Sequence, residues 1–266
     1  MKYILLCLGA LAVCLVCAWL PAHLIRKKKG LSRTAGFFLG LALALLLIVA
    51  VTFGYLGIYY HADASADITS ESVEMQRIDG GYFFDGPGEE RALIFYPGAK
   101  VETLAYAPLM TALAEEGVDC FLADMPFRMA IFGSDLADKF MNAYDYGSWS
   151  AAGHSMGGLV ISAYAADHAE AIDELILLAA YPGSEIPESV SFCSIYGSED
   201  GCLNRETYEA SRAYWPENAA EYIISGGNHA QYAAYGPQSG DGEAGIPREE
   251  QQRKTVEIIL SGGNHA

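Results

Sequence analysis

The stretch "GHSMGG", residues 153–158, places Ser155 in the spacing G-x-S-x-G, after an apolar run and before a helical one. A hydroxyl so placed can attack a carbonyl carbon, provided that a base takes its proton and a third group fixes the tautomer of that base. Downstream, "SIYGSEDG" ends an apolar run with Asp200 in a turn, and "EYIISGGNHA" ends the next with His229 in another. These residue types suit acyl transfer: Ser155 as nucleophile, His229 as base, Asp200 as the group that orients it. His229 must be neutral to act, so activity should rise with pH through its titration. The plainer reading is a glycine-rich turn in which Ser155 only caps a helix, and the partners decide between the two.

Gly153 and Gly157 would let the chain turn sharply and neighbouring backbone approach, lifting the hydroxyl above a sheet edge. There the amide of Met156, at a helix N-terminus, could stabilise an oxyanion. Lys100, in "PGAK" after "RALIFY", fits a solvated surface charge. For the acid, Glu199 adjoins Asp200, and Asp241 lies in a glycine-flanked "SGDG" loop where surface charge is the default. The hexapeptide "SGGNHA" occurs twice, so His265 competes with His229 for the role of base. Being next to last, His265 is expected to fray, and a mobile end cannot hold a base within hydrogen-bond reach. His154 reads as structural, His168 as a helix C-terminal residue and His61 as a membrane-interface residue.

Several elements must position these groups. "SVEMQRIDGGYFFDG" reads as a hairpin, followed by alternating runs: "RALIFYPG" strand, "TLAYAPLMTALAEEG" helix, "VDCFLADMP" strand, "MAIFGSDLADKFMNAY" helix, "WSAAG" strand and "MGGLVISAYAADHA" helix. Then come "ELILLAAY" and "VSFCSIYG" strands, "RETYEASRAYW" helix, "EYIIS" strand and "REEQQRKTVEIIL" helix. Such alternation predicts an α/β domain, a mostly parallel sheet covered by helices on both faces, over residues 71–266. Ser155, Asp200 and His229 each follow the C-terminal end of a strand, the edge where such sheets place their sites.

The chain resembles the α/β-hydrolase family, in its compact, dienelactone-hydrolase-like branch. The resemblance rests on "IFYPGAKVE", "DMPFRMAIF", "GHSMGG", "YGSEDG" and "GGNHAQYAAYGPQSGDG", spanning residues 94–242. It implies an α/β-hydrolase fold and a serine-hydrolase mechanism, with the order Ser155, Asp200, His229 of that family and Gly153 and Gly157 framing the nucleophile turn. It also implies a second oxyanion donor from the loop after "RALIFY", with Ala99 as the candidate; related enzymes carry His-Gly there and this chain has "PGAK", which leaves the identity of that amide open. Only "PGSEIPES" separates two strands between which many members insert a cap, so an open cleft is expected, walled by "MPFRMAIF" and "AQYAAYG".

Residues 1–60 lie outside the resemblance. They hold six basic residues and no acid, whereas residues 61–266 hold all 33 acids against ten bases, +6 and −23 of the net −17. Two apolar stretches, about 3–22 and 36–60, are each long enough to cross a bilayer. They flank a basic loop, 26–33, whose charge should stay cytoplasmic and leave the acidic domain on the outer face of the cell membrane. A cleaved signal peptide is the rival reading, disfavoured by the second span. Residues 61–70, small and polar, read as a tether.

The expectation is a two-pass membrane serine hydrolase that cleaves an ester or thioester through an acyl-enzyme. Alternatives are an acyltransferase with the same triad, a non-catalytic binding domain displayed on the membrane, and an acidic face that repels anionic polymers or attracts cations. The mechanism needs no metal or organic cofactor, and Cys120, Cys193 and Cys202 show no zinc-ligand or disulfide spacing. The expected partners are a small-molecule or lipid-like ester and the lipid bilayer; the negative charge disfavours nucleic acid.

Overall fold

The computed structural model describes residues 2–67, 69–88 and 90–262; His265 lies outside them. The chain divides into two compact units, Met1–Ile58 and Tyr59–Ala266.

The first unit holds two helices, α1 (Lys2–Lys29) and α2 (Arg33–Leu56). The basic residues expected in a loop are the last turn of α1, Arg26 to Lys29, where cations offset the negative end of the helix dipole. Gly30, at φ 66°, then closes the helix, and the amide of Leu31 donates back to the Arg26 carbonyl. The connector is thus shorter than the expected 26–33. Ser32 caps α2 by accepting from the Ala35 amide, and Ala18, Ala22 and Ala44 are buried where the helices meet. Among the described residues, α2 is the helix long and apolar enough to cross a membrane, with a mean hydropathy of 2.7.

The second unit is built on one eight-stranded sheet. Its strands are β1 (Glu74–Ile78), β2 (Gly81–Asp85), β3 (Arg91–Tyr96), β4 (Asp119–Ala123), β5 (Ser148–His154), β6 (Glu174–Leu178), β7 (Ser191–Gly197) and β8 (Ala220–Ile224). They lie in the order β1-β2-β4-β3-β5-β6-β7-β8, with β2 antiparallel to both neighbours and the rest parallel. The α/β class is as expected, including the hairpin, which turns at Gly80 with φ 91°.

Side chains alternate across the sheet because the strand period is two. Leu93 and Phe95 of β3, with Cys120 and Leu122 of β4, join one core cluster beneath α3 (Ala107–Glu115) and α7 (Arg248–Leu260). Ile94 and Tyr96, with Phe121 and Ala123, join the opposite cluster beneath α4 (Leu136–Ala143) and α5 (Met156–Asp167). The remaining helix is α6 (Arg205–Ser211). The helix expected from Met129 is shorter: Gly133 breaks it, so residues 130–132 form a separate 3-10 turn before α4.

The segment expected as a tether is fastened to the second unit from its start. Tyr60 pairs with Val101, the Asp63 amide donates to the Ala234 carbonyl, Arg248 bridges to Asp63, and Ala66 is buried. Small polar residues read as a linker, but Ala62 and Ala66 are small enough to pack. Between the strands that could carry a cap, β6 and β7, the described chain forms neither helix nor strand.

Candidate active site

β5 runs into Ser155, which adopts φ 53° and ψ −121° before α5 begins at Met156. This backbone region is costly for any residue with a Cβ and persists only when the surroundings enforce it. The Ser155 amide donates to the Leu178 carbonyl on β6, and its side chain makes no capping bond, so the helix-cap reading fails. The flanking glycines are steric necessities. A Cβ on Gly153 would lie 2.6 Å from the Gly158 nitrogen, and one on Gly157 would lie 2.0 Å from the Tyr96 carbonyl oxygen. That close approach presses the loop after β3 against the serine turn.

His229 follows β8 through a turn at Gly226, with φ 76°, and is 2% exposed. Its Nδ1 donates to Oδ2 of Asp200 at 2.9 Å. Asp200, in the turn after β7, accepts the amides of Cys202 and Leu203 at its other oxygen, 2.9 and 2.8 Å away. Both carboxylate oxygens are therefore engaged as acceptors, and Nδ1, facing one of them, is a nitrogen of the imidazole that carries a proton. Glu199 turns away: its carboxylate accepts from Ser198 on the surface. Ser155 and His229 line one pocket of about 240 Å³, together with Met156, Leu159, Tyr181, Cys202 and Asn204.

The expected walls are elsewhere. Tyr232 and Tyr235 of "AQYAAYG" are buried in the core, and "MPFRMAIF" contributes no residue to the lining, with Phe127, Ile131 and Phe132 exposed at the surface. Aromatic residues at a family position were read as a cleft, while burial in the core was their commoner fate.

Around the expected oxyanion loop, the Gly98 amide donates to the Tyr106 hydroxyl at 2.9 Å and the Lys100 amide to the Arg128 carbonyl at 2.8 Å. Between them the Ala99 amide has no hydrogen-bond partner among the described residues. Ala99 is not part of the pocket lining, whereas Met156 is, and the Met156 amide belongs to the first turn of α5, which helix geometry leaves without partners.

His154 is buried behind the site. The hydroxyl of Tyr106, which accepts from Gly98, is also hydrogen-bonded to Nδ1 of His154 at 2.7 Å. The His154 ring lies 4.6 Å from that of His229, and burial first, then the neighbouring His229, holds its pKa well below 6.5. His154 is thus a neutral support. His168 caps α5 with Nδ1 on the Tyr164 carbonyl, and His61 lies exposed beside Glu102.

Asp241, read from sequence as surface charge, ties the loops of Asp200 and His229 together. Its carboxylate accepts the amides of Gly201 at 3.0 Å, His229 at 3.2 Å and Ala230 at 2.9 Å, and its own following amide, Gly242. These pairings span up to 40 residues and leave no local signal. Cys202 and Tyr181 were likewise not foreseen at the pocket. Among the described residues no cluster of His, Cys, Asp and Glu could hold a metal ion, and Cys17, Cys120, Cys193 and Cys202 are free thiols.

The model of the alpha/beta hydrolase family matches residues 92–253. Solved structures resemble the fold at low identity. Est1E from Butyrivibrio proteoclasticus is 16% identical with a TM-score of 0.51, covering 72% of this chain and 99% of its own. An alpha/beta hydrolase enzyme from the metagenome of lagoon sediments at Mar Chica, Morocco, is 13% identical with a TM-score of 0.54, covering 71% of this chain and 98% of its own. A protein described as a dienelactone hydrolase, from Klebsiella pneumoniae subsp. pneumoniae, is 14% identical with a TM-score of 0.52, covering 73% and 98%. A search of curated proteins found none that matches.

Proposed function

This chain belongs to the alpha/beta hydrolase family, and from that premise we propose that it is a membrane-anchored serine hydrolase acting on an ester or thioester. Ser155 attacks the carbonyl carbon as its proton passes to Nε2 of His229. Asp200 holds the ring and stabilises the imidazolium that forms. The amides of Met156 and Ala99 receive the developing oxyanion. Collapse of the tetrahedral intermediate breaks the ester C–O or thioester C–S bond, and His229 returns the proton to the departing alcohol or thiol. Water, activated by the same imidazole, then releases the acid and restores Ser155. The observation that carries this reading is the strained Ser155 sharing one pocket with a His229 already bonded to Asp200.

A pocket of about 240 Å³ is small beside ordinary ligand cavities, which suits a scissile group and a short substituent, with the rest of the substrate outside. Anchoring is supported by the apolar helix Arg33–Leu56, and the cluster of positive charge just before it favours a cytoplasmic connector with the hydrolase unit on the outer face. The reading is tested with an alkyl fluorophosphonate probe on the full chain in detergent. Wild type should label and hydrolyse p-nitrophenyl acetate, and Ser155→Ala should do neither while keeping its circular dichroism. Equal labelling of the two would end the reading.

A further inference from the structure

The loop between β4 and α4 exposes an apolar group that the catalytic pocket does not use. Phe127, Ile131 and Phe132 are 47%, 54% and 53% exposed, and the Phe127 and Phe132 rings meet edge to face at 5.9 Å. Phe127 and Arg128 sit at φ 54° and 57°, an uncommon backbone that the surroundings must enforce. Contiguous exposed apolar groups beside a site mark a surface that meets another phase or partner.

The connectivity of the chain says which. The Arg128 guanidinium lies 3.5 Å from the centre of the Tyr59 ring. The Tyr60 amide donates to the Lys100 carbonyl at 2.7 Å, and the Lys100 amide to the Arg128 carbonyl at 2.8 Å. The apolar loop, the oxyanion loop and the first residues of the hydrolase unit are therefore laced together. The helix Arg33–Leu56 ends three residues before Tyr59, a span of at most about 10 Å even fully extended. A bilayer crossed by that helix lies within this reach of Tyr59. On the other side of the loop, Ile131 and Leu159 line a depression of about 570 Å³, and Leu159 also lines the pocket of Ser155.

We propose that Phe127 and Phe132 insert into the apolar boundary of the bilayer, and that the substrate is an acyl ester resident in that membrane, its chain passing Ile131 and Leu159 to reach Ser155. The substrate part of this rests on the serine-hydrolase reading; the insertion part rests only on the anchor and the loop. A soluble protein partner would use the same exposed rings without lipid contact, and the experiment separates the two.

The full chain is reconstituted in phosphatidylcholine vesicles as Trp19→Phe and as Trp19→Phe with Phe132→Trp. Lipids brominated high on the acyl chain should quench the added emission of the second protein, and absence of quenching would overturn insertion. Separately, Phe127→Ser with Phe132→Ser should lower hydrolysis of p-nitrophenyl palmitate in vesicles by about tenfold or more while p-nitrophenyl acetate in water stays within about twofold. Parallel loss on both substrates, or loss on neither, would overturn the membrane-resident substrate. A Trp19→Phe, Phe132→Trp protein that is quenched while neither it nor the wild type is labelled by fluorophosphonate would sink the Ser155 chemistry and leave insertion standing.

Discussion

Asp241 touches the side chain of neither Asp200 nor His229, yet its carboxylate accepts amides from both loops that carry them. Asp241→Ala leaves these amides to find other partners, and an unsatisfied buried donor costs about 1–3 kcal/mol. We expect a loss of about 2 kcal/mol in urea unfolding and a fall in kcat of about tenfold or more, with the acetyl ester as substrate. Unchanged kcat would show that the two loops are held without it. Asp200→Asn should act differently, lowering kcat by about 10⁴ because an amide can favour the wrong imidazole tautomer. His154 sets a pH dependence of stability. Its pKa in the folded chain is depressed by burial below the ordinary 6.5, so on acidification the unfolded chain takes up the proton first. Its contribution is present above about pH 6.5 and declines below it, by at most about 1.4 kcal/mol per pH unit until the depressed value is reached. Urea unfolding at pH 7.5 and 5.5 should show this decline, and His154→Gln should lessen it.

At the scale of elements, the serine turn is held by the packing of α5 against the end of β3. A Cβ on Gly157 would lie 2.0 Å from the Tyr96 carbonyl oxygen and 2.4 Å from that of Pro97, so even a methyl group would drive α5 away from the sheet and the loop after β3. Gly157→Ala should cost about 3 kcal/mol or more, read as a lower thermal midpoint, and should abolish fluorophosphonate labelling. A variant with wild-type midpoint and labelling would mean that the turn yields where the structure says it cannot. The hairpin β1–β2, α3, α5 and α7 were legible because their apolar periods and glycine stops are local. The helix before β5 was legible only in its second half, since the apolar residues "MAIF" belong to a surface loop that ends at Gly133.

At the scale of the whole molecule, the hydrolase unit carries its own two-sided core, and Tyr60, Asp63 and Ala66 are part of its surface and packing. A protein comprising residues 59–266 should therefore melt cooperatively within a few degrees of the same transition in the full chain, whereas removal of residues 59–66 as well should lower the midpoint. Differential scanning calorimetry distinguishes these outcomes. Identical midpoints for both truncations would show that the segment read as a tether behaves as one.

From its residues alone the chain determined its class, its strained serine turn and the candidates for nucleophile, base and acid, because each of these has a short-range signature: the strand period, glycine spacing, and turns at the ends of apolar runs. The tertiary structure decided which groups meet. It placed Asp200 rather than Glu199 on His229 across 29 residues, recruited Asp241 to both loops, put the two tyrosines of the expected wall into the core and fastened Asp63 to Arg248 across 185 residues. A hydrogen bond between residues so far apart is selected by the order of strands in the sheet, and no local pattern of side chains records it.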